Sequence, residues 1–162
     1  MAMFSARLIQ LIETHAASLT RGAMQDVLTN ERTASFRKVP KGELEPRIHA
    51  MYQNLSKWIG SPDQDAIRRE YEDWGRTRFH QGIPLSEIVY CVVLTKHHLR
   101  QFIHEHGLIA VAGDRVKADE PVAVELYGIQ ELNALVGEFF DRALYHLVRG
   151  YEIAGKTAQA AA

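Results

Sequence analysis

One cysteine, Cys91, among 162 residues leaves no intrachain disulfide and no CxxC metal pair, an arrangement that fits a reducing compartment. It sits in the apolar run CVVL, where burial raises a thiol pKa and blunts its reactivity, so it reads as a small core residue. An excess of charge of one sign is also missing. The formal net charge is −1, with no stripe of Lys and Arg to track phosphates, which excludes a nucleic-acid contact by this chain. Long apolar runs are absent: none approaches the ~20 residues of a membrane helix. The opening MAMFSARLIQLIETH carries Glu13 and no small-residue cleavage site, so it is not a signal peptide. These absences point to a cytoplasmic chain without membrane contact. The phosphate-cradling loops GxxxxGK[ST] and GxGxxG and the nucleophile elbow GxSxG are missing as well, which leaves nucleotide and acyl-transfer chemistry without a foothold. No alternating run of β-branched residues lies between turn signals, so no strand is expected.

What remains is helical periodicity. Phe4, Leu8, Leu11, Ile12 and Leu19 recur at three- and four-residue steps and predict a first helix, loosened at Gly22. Met24, Val27 and Leu28 follow as a short second helix or a bent continuation. Thr29 to Pro40 reads as a loop with a turn of helix around Ala34 and Phe36. Leu44, Ile48, Met51, Tyr52, Leu55 and Ile59 form one stripe, closed by Gly60-Ser-Pro62. Asp63 then offers an N-cap for a helix from about Gln64 to Gln81. Gly82 suits the left-handed position that ends a helix and Pro84 the first turn of the next, so the chain turns a corner there. Leu85, Ile88, Val89, Val92, Leu99, Phe102 and Ile103 predict a helix up to Gly107, and residues 107 to 120 read as a loop. From Pro121 to Tyr151 the longest amphipathic run closes the chain. The prediction is an all-α, single-domain bundle of about five to six helices, with residues 1–156 as the domain and the Ala-rich 157–162 as a tail or linker.

Eight histidines (His15, His49, His80, His97, His98, His104, His106 and His146) raise a metal site, but their spacings lack the three- or four-residue helical pairing of HExxH. No metal or cofactor is expected. A haem or small-ligand protein with globin-like packing is the alternative, with His97, His98 and His146 as nominal axial ligands. The sharper signal lies before the corner. At ~100° per residue, Ile67, Tyr71, Trp74 and Arg78 share one stripe, which carries Arg78 onto the face to be buried. Arg76 projects away. A buried guanidinium requires a carboxylate, several carbonyls or an anionic ligand. Asp141, among the apolar residues of the closing helix, and Glu87, just after Pro84, are the candidate partners. Tyr71 and Trp74 are either plain core or the wall of a small-molecule pocket. Tyr90, Val93 and His97 share a second face of the helix after Pro84, which makes that helix central in the bundle or a dimer surface.

The stretch Tyr71-Glu-Asp-Trp-Gly75-Arg-Thr-Arg78-Phe-His-Gln-Gly82-Ile-Pro84-Leu85-Ser-Glu87-Ile-Val resembles the pattern Y-x-x-(apolar)-G-x-x-R-x-x-x-G-(apolar)-P-(apolar)-x-E of the RsbRD N-terminal domain family. Leu44 to Ile59 is similar to the family's preceding helix, and Glu138-Phe-Phe-Asp141-Arg-Ala143 with Gly150-Tyr151 to its closing helix. Trp74 stands where the pattern carries an aliphatic residue. Such domains are sensory inputs ahead of PucR-type regulators, STAS-domain stressosome proteins and some histidine kinases. The resemblance implies an all-helical signal-transduction domain, distantly globin-like in packing and without catalysis. It implies an effector domain or regulatory protein as partner, and the second face of the helix after Pro84 adds the expectation of a homodimer. From the stripe and its candidate partners, Tyr71, Trp74, Arg78, Glu87 and Asp141 are the ligand-binding or signalling candidates, and Gly75, Gly82 and Pro84 the structural corner.

Overall fold

A computed structural model describes residues 3–59, 63–114 and 122–162. Among the described residues there are helices and no strands: α1 (Met3–Thr14), α2 (Ala16–Thr29), a 3-10 helix (Glu31–Lys38), α3 (Lys41–Gln53), α4 (Leu55–Ile59), α5 (Gln64–His80), α6 (Leu85–Asp114) and α7 (Val122–Ala161). The all-α bundle has more pieces than the periodicity suggests, because two stripes are broken by single residues. His15 (φ −99°, ψ 13°) separates α1 from α2, its Nδ1 lying 2.8 Å from the Leu11 carbonyl. Asn54 (φ −115°, ψ 31°) separates α3 from α4, and its Nδ2 donates to the Ala50 carbonyl. Both side chains compete for backbone groups that a continuing helix needs.

Two glycines that read as breaks are packing points instead. Gly22 lies inside α2, where a Cβ would meet the His98 ring at 3.3 Å. Gly107 lies inside α6, where a Cβ would meet Ile129 at 3.0 Å. The loop expected from residue 107 is therefore helix as far as Asp114. The run Leu108-Ile-Ala-Val-Ala112 holds the strong helix formers Leu108, Ala110 and Ala112 and no proline, so nothing in the backbone stops it. Residues 115–121, including Pro121, and the stop signal Gly60-Ser-Pro62 lie outside the described residues. The segment expected as a loop before Pro40 is mostly 3-10 helix, started by Asn30 accepting from the Arg32 amide.

The long helices α5 and α6 both pack on α7, the α5 contact being the more extensive, while α2 and the 3-10 helix pack on α6, α1 on both α6 and α7, and α3 on α1 and α2. Asp63 caps α5 by accepting from the Asp65 and Ala66 amides at 3.0 and 3.1 Å. The core runs through Ile12, Phe36, Tyr52, Leu55, Ile67, Leu99, Val136 and Leu147, all buried. No helix among the described residues is long and apolar enough to cross a membrane.

Candidate functional site around Arg78

The corner between α5 and α6 is set by backbone chemistry. The Ile83 amide donates to the Arg78 carbonyl at 3.1 Å and the Gly82 amide to the Phe79 carbonyl at 2.9 Å, the two bonds of a Schellman cap. Gly82 takes φ 69°, a left-handed conformation that a side chain would strain. The Pro84 carbonyl accepts from Ile88 and so opens α6. From across the bundle, the Tyr151 hydroxyl of α7 donates to the Ile83 carbonyl at 3.0 Å, and the Tyr151 ring meets Phe79 edge-on at 5.2 Å. The corner is thereby clasped to α7.

Gly75 lies in the middle of α5, not at the turn. There α5 and α7 cross backbone to backbone: a Cβ on Gly75 would sit 2.0 Å from the Leu147 carbonyl oxygen, and one on Gly150 would sit 2.1 Å from the Glu72 carbonyl oxygen. The two glycines face each other's helices and let the rods approach as no other residue would.

One turn beyond the crossing, Arg78 is 0% exposed, on the same buried stripe as Ile67, Tyr71 and Trp74. Its Nη1 donates to Gln81 Oε1, and Gln81 Nε2 in turn donates to Glu43 Oε2 at 2.6 Å. Glu43, in the first turn of α3, also stands 4.0 Å from Arg78 Nη1, with its side chain 49% exposed. The guanidinium carbon lies 5.8 Å from the Trp74 ring and 5.9 Å from the Phe36 ring. Nε and Nη2 are buried and make no hydrogen bond, as is Trp74 Nε1. Burial pushes the guanidinium below its ordinary pKa, Arg47 adds to this, and Cys91 and Glu43 offset it only in part. Cys91 beside it is pushed up to about 12 by burial, partly countered by Arg78, and is no nucleophile at neutral pH.

The expected partners lie elsewhere. Asp141 is on the outer face of α7, its side chain 77% exposed, paired with Lys96 at 3.3 Å. The apolar neighbours that suggested burial occupy the adjacent positions of the helix and point inward without it. Glu87 accepts from the Ser35 amide and hydroxyl at 2.7 and 2.8 Å, fastening the 3-10 helix to the start of α6. Glu43, Gln81 and Phe36 were not singled out by the sequence. Gln81 falls inside the motif, one turn after Arg78, and offered a local signal; Glu43 comes from a distant helix and offered none.

Tyr71 meets Trp58 and Phe139 edge-on and Trp74 at a tilt, with ring centroids 5.9 to 6.3 Å away. Burial drives its phenol strongly upward, so it stays protonated. Tyr71 and Trp74 border a cavity of about 30 Å³ between α3, α5, α6 and α7, the room of a single water. The three nominal haem ligands face different surroundings. His97 lies on the exterior of α6, His98 Nε2 contacts Asp26 Oδ2 at 2.6 Å, and His146 stands 4.0 Å from Glu72. Among the described residues no three His, Cys, Asp or Glu side chains converge on a metal-sized position.

On the opposite flank, Val93, Lys96, His97, Arg100, Gln101 and His104 of α6, with Asn133 of α7, line an open groove of about 720 Å³. Tyr90 does not join it: Arg32 covers its ring at 5.2 Å and donates to its hydroxyl at 3.1 Å.

Comparison with known proteins completes the picture. The family model of the RsbT co-antagonist protein RsbRD N-terminal domain matches residues 17–154, which include the crossing, the corner and Arg78. No curated protein and no solved structure gives a significant match. With most of its length matched, the chain belongs to the RsbRD N-terminal domain family, regulatory domains of signal transduction.

Proposed function

We propose that this chain is a non-catalytic sensory input domain of bacterial signal transduction, cytoplasmic, acting through ligand- or partner-dependent helix packing and homodimerisation. One observation carries the reading: a single helix, α5, holds both the backbone-to-backbone crossing with α7 and the buried, under-partnered Arg78. A change in the surroundings of Arg78 acts directly on the helix that α7 rests against. The glycine crossing serves as a pivot and Tyr151 as a clasp, so α7 shifts relative to α6 as a rigid rod. At 40 residues α7 is about 60 Å long. Its last buried residue is Ala154, and its final turns are exposed. Residues 1–156 then form the sensory unit and 157–162 the link to an effector domain or regulatory protein.

The groove between α6 and α7 supports the dimer. Val93, 45% exposed, sits in it beside cationic and histidine side chains, and the acidic Glu138 and Asp141 lie on the exposed side of α7. In two copies related by a two-fold axis the Lys96–Asp141 and Arg142–Glu138 pairs exchange partners across the interface, and Val93 meets the facing groove. Neither nucleic acid nor a membrane belongs to this scheme. Chemical cross-linking with light scattering tests it. A dimer whose cross-links join α6 to α7 is the expected result, and a chain that stays monomeric at all concentrations, recovering no partner by pull-down, contradicts it.

A further inference from the structure

A neutral histidine that donates through one ring nitrogen keeps a lone pair on the other. Two histidines on neighbouring elements are held in this way. His15, at the break between α1 and α2, has Nδ1 2.8 Å from the Leu11 carbonyl, and His106 of α6 has Nδ1 3.1 Å from the Phe102 carbonyl. A carbonyl only accepts, so each Nδ1 carries the proton, and each Nε2 is an acceptor with no partner among the described residues. Both anchors lie on the ring's own helix, which turns Nε2 away from it. The two rings stand 6.2 Å apart, centroid to centroid, at 43°. Phe102 steadies both: His106 stacks on it at 3.8 Å and His15 tilts against it at 5.7 Å. His97 and His98 are equally near each other, but His98 Nε2 is already taken by Asp26.

We infer that His15 and His106 form a two-histidine clamp for a divalent transition-metal ion of the zinc, nickel or copper(II) class, bound through both Nε2 atoms with water in the remaining positions. Metal-binding histidines characteristically donate their other N–H to a backbone carbonyl or carboxylate, which fixes the tautomer and makes the ligand more basic, and both rings do so here. Imidazole suits these ions, whereas magnesium takes oxygen ligands. Two Nε2–metal bonds of about 2.0–2.1 Å hold two imidazole centroids roughly 5 to 6.5 Å apart, from tetrahedral to linear angles, and the observed 6.2 Å falls within that span. His15 is exposed and His106 half-buried, so an ion reaches them from solvent without opening the core. The ligands come from different helices, which is why no HExxH-type spacing announces them. A bound ion ties the break between α1 and α2 to α6. The clamp shares no residue with the surroundings of Arg78 or with the groove, so it stands or falls apart from the input-domain reading.

The test is a titration of the untagged, ¹⁵N-labelled full chain with zinc chloride, followed by calorimetry and by long-range ¹H–¹⁵N correlation of the histidine rings. One zinc per chain is expected, with the Nε2 resonances of His15 and His106 moving together and magnesium chloride moving neither. His106→Phe, which keeps the stack on Phe102, and His15→Ala each weaken zinc by about tenfold or more, since losing a ligand costs at least as much as losing the group that orients one. His97→Ala leaves zinc binding unchanged. The wild-type resonances identify the ligands even where a variant fails to fold. No saturable zinc binding by the wild-type chain, saturation that moves other histidines instead, one zinc shared between two chains, or undiminished binding by a folded His106→Phe overturns the clamp.

Discussion

Helix α7 meets its two long neighbours on opposite terms. Against α5 the contact is steric: Gly75 and Gly150 bring backbone onto backbone, and the corner at Gly82 is fastened by Tyr151. Against α6 the buried Val92, Phe140 and Ala143 line a small internal cavity, and the outer edges diverge into a groove lined by polar and charged groups. A steric contact tolerates no added atom and transmits displacement faithfully. A groove of solvated charges contributes little to stability and is free to recognise a partner. The proposed input and the proposed interface thus lie on different sides of one rigid helix.

The crossing breaks most readily. Gly150→Ala places a methyl about where the Glu72 backbone stands, and Gly75→Ala does the same against Leu147, so each is expected to cost at least about 3 kcal/mol in urea unfolding. Arg78 sharpens the same side. Arg78→Ala leaves a cavity and costs about 3 kcal/mol, whereas Arg78→Met, which fills the space without a charge, stays within about 1 kcal/mol of wild type or exceeds it. Equal losses for both would show that the charge itself is stabilising.

Cys91 gives that side a pH signature. Its folded pKa is raised from 9.0 to about 12 by burial, so its contribution is intact below pH 9 and is lost as pH rises toward 12. One proton sets a slope of up to about 1.4 kcal/mol per pH unit. Urea midpoints should fall across that window, and Cys91→Ala should flatten part of the fall, the remainder coming from Tyr52 and Tyr71, whose phenols burial also drives upward. Removing the Asp63 cap with Asp63→Ala should cost about 1 kcal/mol and leave the corner intact. The groove completes the contrast with the smallest effect: Arg100→Ala is expected to shift unfolding by no more than about 0.5 kcal/mol.

The helices were legible because buried residues recur at three- and four-residue steps, and the corner because Gly82 and Pro84 leave the backbone little choice. The breaks at His15 and Asn54 were not, since neither residue forbids a helix and only side-chain competition with the backbone turns the chain. Gly22 and Gly107 misled for the converse reason: glycine marks close approach as readily as a break, and only the partner helix decides which. The burial of Arg78 followed from its stripe. Its surroundings did not, because Glu43 and Phe36 arrive from elements far away in the chain, while Asp141, one step from the buried Phe140, turns outward to Lys96.

Sedimentation velocity on the wild-type chain beside Val93→Glu tests the account most directly. Val93 is half exposed and lines the groove, so the substitution leaves the fold unchanged by circular dichroism and sets like charge into an interface between copies. The account predicts a wild-type dimer and a folded Val93→Glu monomer at the same concentration. A wild-type monomer, or a Val93→Glu chain that dimerises as well as wild type, would contradict it.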